Sequence, residues 1–166
     1  MALKIHSEGF TLIELMVAIT IMGVLMGATV VRYATYNDKQ LVKQAALTLK
    51  SDLQMARTNA ISGNKPIVCN AAPGGVLEVF LGYQVSFTVS SYTITPKCSV
   101  TVSPVSENIL VSLPEGITFS PIPSPASYIY LPLTKGITAA PSQVILTNGT
   151  DSVTLTIDPI SGSISN

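Results

Sequence analysis

Hydrophobic and polar positions divide the chain into three unlike stretches. Residues 10–31 are almost continuously apolar, residues 32–65 alternate with a helical period, and residues 66–166 contain short apolar runs separated by turn residues. These patterns are typical of a membrane or buried helix, an amphipathic helix and β-strands, in that order. The sequence therefore predicts an α+β protein that begins with helix.

The apolar run extends over the 22 residues from Phe10 to Val31 and contains one charge, Glu14. About 20 apolar residues in a helix span a bilayer core. A signal peptide has a shorter apolar core that ends at a small-residue cleavage site. A soluble domain would have to bury such a helix on all its faces, and the rest of this chain is too small for that. We therefore predict a membrane-spanning segment.

Glu14 is the exception within this run, because an unpaired carboxylate in hydrocarbon is costly. In one interpretation it lies at the membrane interface and reaches water. In the other it has a cationic partner. Since the run contains no Lys or Arg, that cation would come from a chain terminus or from another chain.

Residues 32–65 predict an amphipathic stem. Apolar residues recur at spacings of three and four on one helical face: Val42, Ala46, Leu49, Leu53, Ala56 and Ala60. Gly63 and Pro66 supply a stop signal. Joined to the apolar run, one helix would extend from Phe10 to Ser62, about 80 Å at 1.5 Å per residue. Its C-terminal half is expected to pack on the head and its N-terminal half on other subunits.

Residues 66–166 predict a β-rich head, an antiparallel sheet or sandwich packed on the stem. Alternation predicts a shared face for every second residue of Val85–Val89 and of Val153–Ile157, and Asn148–Gly149 predicts a hairpin. Alternating prolines at 121–125 predict a stiff loop. The candidate strands are Val76–Leu81, Val85–Val89, Tyr92–Thr95, Ser99–Val102, Ile109–Leu113, Ile117–Phe119, Tyr128–Leu131, Val144–Thr147 and Ser152–Ile157.

Cys69 and Cys98 are the two cysteines of the chain. In an oxidising space outside the cytoplasm they are candidates for a disulfide. Closing a loop of about 30 residues contributes on the order of 3–4 kcal/mol in the chain-entropy model.

Composition argues against catalysis and metal binding. The chain has nine basic and nine acidic residues and a single histidine, His6. One histidine excludes His-rich metal sites and leaves few side chains suited to general-base catalysis. We expect no enzyme activity, no cofactor and no metal.

The string Gly9-Phe10-Thr11-Leu12-Ile13-Glu14-Leu15 resembles the signature of type IV pilins and pseudopilins. The resemblance implies that a prepilin peptidase cuts after Gly9 on the cytoplasmic side and that the new N-terminal Phe10 is methylated. It also implies that Glu14 docks on the N-terminal amine of a neighbouring subunit. Two charges that lipid disfavours would then neutralise one another.

The stem is similar to that of the GspH/FimT family of minor pilins and pseudopilins. The residues that carry this similarity are Leu49, Asp52, Leu53, Ala56, Arg57, Ala60 and Ile61. The chain departs from many type IV pilins at the end of the apolar run, where it has Val30-Val31-Arg32 and no proline. The helix kink associated with that proline is therefore not implied.

Together these resemblances imply a cleaved leader (1–9), a transmembrane and assembly helix (10–31), a helical stem (32–65) and a head (66–166). The protein would be a minor pilin or pseudopilin of a type IV pilus or a type II secretion filament. Its partners would be other pilin subunits, the prepilin peptidase and the membrane. It would cross the bacterial inner membrane once, with its head in the periplasm or outside.

Two other functions are compatible with this organisation. A competence pilin would bind incoming DNA, yet residues 99–166 contain one basic and four acidic residues, which argues against nucleic acid as a partner of the head. The basic stem face is better explained by solvent or by anionic lipid headgroups. Alternatively, a membrane-anchored monomeric β-domain would bind a ligand or partner without entering a filament.

Overall fold

The computed structural model describes residues 9–66, 69, 79–99, 108–133 and 136–165, except the side chains of residues 28–35. The leader residues before Gly9 lie outside this range. The chain forms two compact units that divide between Asp38 and Lys39. The elements are α1 (Leu12–Ile61), β1 (Phe80–Phe87), β2 (Ser91–Cys98), β3 (Ile109–Ser112), β4 (Thr118–Phe119), β5 (Ser127–Tyr130), β6 (Gln143–Thr147), β7 (Ser152–Ile157) and β8 (Ile164–Ser165).

The first unit consists of the N-terminal part of α1. The backbone stays helical past residues 30–32, where many type IV pilins have a proline. A proline inside a helix removes one backbone hydrogen bond and clashes with the preceding turn. Because this chain has none before Pro66, nothing in the sequence of α1 forces a kink.

The stop signal at the end of α1 is confirmed. Gly63 has a positive φ of 65°, its N–H donates to the Ala60 carbonyl at 3.0 Å, and the N–H of Asn64 donates to the Asn59 carbonyl at 3.0 Å. This pair of bonds is the Schellman arrangement, which satisfies carbonyls that the last helical turn leaves open. Glycine fits this position because it adopts positive φ without steric cost.

The second unit contains two four-stranded sheets, in the orders β3-β2-β1-β5 and β4-β6-β7-β8, and all their described pairs are antiparallel. The predicted stem stripe is confirmed, since each of its six residues is at most 2% exposed. The stripe shares one hydrophobic core with buried residues of both sheets. The predicted α+β class is therefore confirmed.

The predicted hairpin joins β6 to β7. The Asn148 side-chain oxygen accepts hydrogen bonds from the N–H groups of Thr150 at 3.0 Å and Asp151 at 2.7 Å. Gly149 has φ of 91°. Along β7 the alternate residues from Val153 to Ile157 face inward, as predicted.

The prediction of separate strands before and after Gly82 was wrong, because β1 continues through this residue. The register shifts between Phe80 and Gly82, where a β-bulge interrupts the pairing with β2. Gly82 has φ of 124°, and a Cβ atom at this position would lie 2.0 Å from the Tyr130 carbonyl oxygen. Here glycine marks a bulge and a close backbone approach within one strand.

Two further differences concern strand ends. Val89 is 52% exposed rather than inward-facing, because β1 ends at Phe87 and the Thr88 N–H closes a turn on the Ser91 carbonyl at 2.8 Å. β8 was not predicted, since its two residues are too short for an alternation pattern. The candidate runs at 76–78 and 100–102 lie outside the described residues. The prolines at 121–125 lie between β4 and β5, outside any strand, as predicted.

Candidate functional site

The N-terminus of α1 is organised by Thr11 and Glu14. The Glu14 carboxylate accepts hydrogen bonds from the backbone N–H of Thr11 at 3.4 Å and from its hydroxyl at 3.3 Å, and the Glu14 N–H donates to the Thr11 hydroxyl at 3.4 Å. This is a capping box, in which N-cap and N3 side chains satisfy each other's open backbone donors. The helix begins at Leu12 because Thr11 caps it.

This local role of Glu14 was not predicted from the sequence. The sequence suggested either contact with water at the membrane interface or a cationic partner for Glu14, whereas the single chain already supplies hydrogen-bond donors to the carboxylate. The signal was available, because Thr11-x-x-Glu14 before an apolar run has the spacing of a capping box. Docking of Glu14 on the amine of a neighbouring subunit stays a prediction.

Gly9 and Phe10 lie outside α1, and both are exposed. Phe10 is 88% exposed, and no other part of the described chain lies within 4 Å of the Cβ position of Gly9. The peptide bond between them is therefore in an accessible, non-helical segment.

The described side chains of residues 10–27 are mostly apolar, and all of them are exposed. Large apolar residues between Phe10 and Met26 are 51–88% exposed. They include neighbours in sequence such as Leu12 and Ile13, so the exposed surface extends around the helix rather than along one stripe. Within the described part of the chain, no helix combines the length and apolarity that a membrane crossing needs.

Asp52 fixes the stem to the first sheet. The hydroxyl of Tyr92, on β2, donates to an Asp52 carboxylate oxygen at 2.5 Å, and the pair is partly buried. Burial first, and then the hydrogen bond and charge of Asp52, raise the pKa of Tyr92 well above its ordinary value. The tyrosine therefore remains a neutral donor throughout the physiological pH range.

Arg57 fixes the stem to the second sheet. Its Nε donates to the carbonyl oxygen of Ser161, in the turn between β7 and β8, at 2.9 Å. Burial raises the pKa of Tyr130, and its contact with Tyr128 and the positive charge of Arg57 partly offset that shift. Asp52 and Arg57 of the stem thus both bind the head.

The structure joins Cys69 and Cys98 in a disulfide with a Cα–Cα distance of 5.6 Å. Cys98 ends β2, and Cys69 lies eight residues beyond the end of α1. The bond therefore connects the segment that follows the helix to the first sheet.

Among the described residues, no group of three or more His, Cys, Asp or Glu side chains could hold a metal ion. Asp158 has a lowered pKa, caused by hydrogen bonds from the Ser161 and Ile160 N–H groups at 2.6 and 3.0 Å. These contacts belong to the turn before β8. Asp158 is therefore a turn residue in this structure.

Comparison with known proteins identifies the N-terminal segment. The family described as "Prokaryotic N-terminal methylation motif" matches residues 5–30. The chain carries this motif. It is the motif of prokaryotic type IV pilin-like proteins, so this part of the resemblance is confirmed.

The chain is also similar to fimbrial proteins. Two proteins of Pseudomonas aeruginosa named "Fimbrial protein" are each 34% identical to it over 84 residues, which is 51% of this chain and 51% of the relative. The chain thus spans about half the length of the curated relatives it matches. No solved structure shows a significant match.

The predicted site residues fall into separate places. Gly9 and Phe10 lie just before α1 and Glu14 lies in its first turn, all in the first unit, whereas the cysteines lie in the second unit. Tyr92 and Ser161, which bind Asp52 and Arg57 of the stem, were not predicted as site residues. Sequence pattern could not show those pairs, because each joins residues far apart in the chain.

Proposed function

We propose that the chain is a minor pilin or pseudopilin, a structural subunit of a type IV pilus or a type II secretion filament. A prepilin peptidase cuts it between Gly9 and Phe10. Residues 10–31 hold the subunit in the bacterial inner membrane before assembly and pack against neighbouring subunits afterwards. The head then lies in the periplasm or outside the cell.

The observation that carries this proposal is the exposed apolar surface of residues 10–26. Its removal from water supplies on the order of 25 cal/mol per Å² of apolar area, so the surface favours association with lipid or with other helices. The methylation motif covers the same segment. The membrane role also rests on the sequence, in which the apolar run continues to Val31.

The minor-pilin or pseudopilin assignment rests on the stem. Asp52 and Arg57 belong to the GspH/FimT-like pattern, and their bonds to Tyr92 and Ser161 give that pattern a structural reason. The similarity to fimbrial proteins supports a filament subunit in general. Nucleic acid is not part of the proposal, because Lys97 is the one basic residue of β1–β8 in the described chain.

The intact mass of the protein recovered from its native membranes tests the processing step. We expect the mass of Phe10–Asn166 plus one methyl group, less two hydrogens for the disulfide. A Gly9→Leu variant is the matched control, since it alters the cleavage site and should retain the leader. A wild-type mass that keeps residues 1–9 in cells with an active prepilin peptidase would contradict the proposal. The chain would then be an anchored β-domain.

A further inference from the structure

Edge strands of the two sheets expose backbone groups that natural proteins usually protect. In the described chain β4 and β8 are two residues long. The outer side of β5 is bonded by residues 136–138, through Thr138 N–H to Ile129 at 2.9 Å and Leu131 N–H to Gly136 at 3.3 Å. Among the described residues, no strand pairs with the outer side of β3 or of residues 152–155 of β7, because β8 pairs only with Thr156 and Ile157.

The direction of the open groups follows from the antiparallel alternation. The N–H of Leu113, which directly follows β3, donates to the Ser90 carbonyl at 2.9 Å. By the alternation, the backbone groups of Val111 and Ile109, which lie opposite Tyr92 and Ile94, also point toward β2. The N–H and C=O groups of Leu110 and Ser112 therefore point to the open side.

The same reasoning applies to β7. The Ile157 N–H donates to the Ser142 carbonyl at 2.9 Å, and the Asn148 N–H donates to the Asp151 carbonyl at 3.2 Å. Odd-numbered residues of β7 therefore bond to β6. The backbone groups of Ser152 and Thr154 point to the open side.

The two open edges are complementary in spacing and in side chains. If they pair antiparallel, Leu110 opposes Thr154 and Ser112 opposes Ser152, and each pair exchanges two backbone hydrogen bonds. In the same register Val111 opposes Val153, so apolar side chains that face inward in each sheet meet on one face. Both open segments are four residues long and neither carries a charge.

The surroundings favour the same contact. Leu110 is 67% exposed, which is unusual for an unguarded edge. Beside the open part of β7 lies a groove of about 410 Å³, lined on the α1 side by Lys43, Leu47 and Lys50. Glu115 follows β3 and is exposed. A basic groove would therefore receive a strand with an acidic flank.

We propose that β3 of one copy of this chain pairs antiparallel with residues 152–155 of β7 in the next copy. The two edges differ, so the contact is heterologous, and a heterologous contact that does not close into a ring produces an open helical filament. The inference rests on the proposed function, for which it supplies a contact between heads in addition to the α1 contacts.

Cysteine cross-linking in the full-length protein in its native membranes tests this pairing. The chain's own cysteines are bonded to each other, so new ones supply the free thiols. The double variant Leu110→Cys/Thr154→Cys should give a ladder of dimers, trimers and higher species on mild oxidation, because directly opposed residues lie about 5.5 Å apart between Cα atoms. The matched control is Leu110→Cys/Ser127→Cys, whose second cysteine is on β5.

The single variants give a sharper result. Neither Leu110→Cys nor Thr154→Cys alone should cross-link, whereas a mixture of the two should stop at dimers. Dimers from Leu110→Cys alone would show β3 paired with itself and would overturn the proposal. So would a ladder of equal strength from the Ser127 control, or none from the double variant.

Electron microscopy of the same membranes separates this inference from the proposed function. Filaments that form without the Leu110–Thr154 ladder would overturn the edge pairing alone. A ladder in preparations that never form filaments would retain the pairing and contradict the filament function.

Discussion

At the scale of single residues, the hydrogen bond between Tyr92 and Asp52 connects the stem to the head. A substitution that deletes one oxygen atom removes this bond. Tyr92→Phe keeps the ring and deletes the hydroxyl that donates at 2.5 Å. Hydrogen bonds to charged groups contribute about 1.5–3 kcal/mol. We expect a loss of about 2 kcal/mol in the free energy of unfolding at pH 7, measured by denaturant titration. Tyr36→Phe, at a 61% exposed tyrosine, is the control and should change little.

The difference in unfolding free energy between wild type and Tyr92→Phe should depend on pH. Because the pKa of Tyr92 is raised in the folded protein, this hydroxyl stays protonated after the unfolded chain has ionised near pH 10. Its contribution is fully present below about pH 10 and is lost as the pH rises above that value. The stability difference between wild type and Tyr92→Phe should therefore narrow above about pH 10. A difference that stays constant up to pH 11 would contradict the raised pKa.

The close approach of the Tyr130 backbone requires a glycine at position 82. A Cβ atom would lie 2.0 Å from the Tyr130 carbonyl oxygen, and the positive φ of 124° strains any L-residue. We expect Gly82→Ala to cost about 3 kcal/mol or more in the free energy of unfolding. Gly116→Ala is the matched control, because Gly116 also has positive φ but open space around it. Equal losses in both variants would mean that φ alone, rather than the contact with Tyr130, sets the cost.

At the scale of elements, the buried stripe of α1 holds the second unit together. Leu49 is fully buried, and Leu→Ala substitutions in cores cost about 2–5 kcal/mol. We expect Leu49→Ala to lower the unfolding free energy by that amount. Leu47 lies two residues away on the same helix and is 60% exposed, so Leu47→Ala should change it by less than about 0.5 kcal/mol. Comparable losses in both would contradict the assigned face.

The sequence predicted elements well where a local signal was strong. The stripe from Val42 to Ala60, the stop at Gly63 and the hairpin at Asn148–Gly149 each follow from residues close together in the chain. The bulge at Gly82 was misassigned as a break, because its cause is the carbonyl of Tyr130, 48 residues further on. Strand order and the bonds of the charged stem residues likewise depend on tertiary contacts, which no local pattern contains.

At the scale of the whole molecule, the disulfide connects the segment after α1 to the first sheet. Cys69 and Cys98 are 29 residues apart in sequence. Because the bond restricts the unfolded chain, Cys69→Ser/Cys98→Ser should lower the unfolding free energy by about 3–4 kcal/mol in the chain-entropy model. Denaturant titration of wild type under oxidising and reducing conditions provides the comparison. The double variant itself should not respond to reductant.

The two proposed roles of Glu14, capping and docking, can be separated by substitution. Glu14→Gln keeps a side chain that can complete the capping box but removes the negative charge. Thr11→Ala removes the N-cap and keeps the charge, at a cost of about 1 kcal/mol. If the charge docks on a neighbouring amine, Glu14→Gln should lose filaments while Thr11→Ala retains them.

Both variants should be counted as filaments by electron microscopy, with the amount of membrane protein matched by immunoblotting. Glu14→Asp is the control that preserves charge with a shorter side chain. It should assemble better than Glu14→Gln if charge decides the outcome. Normal filaments from Glu14→Gln together with loss in Thr11→Ala would assign Glu14 to the start of the helix alone. In that case the attraction between subunits would have to come from the uncovered apolar surface between Phe10 and Met26.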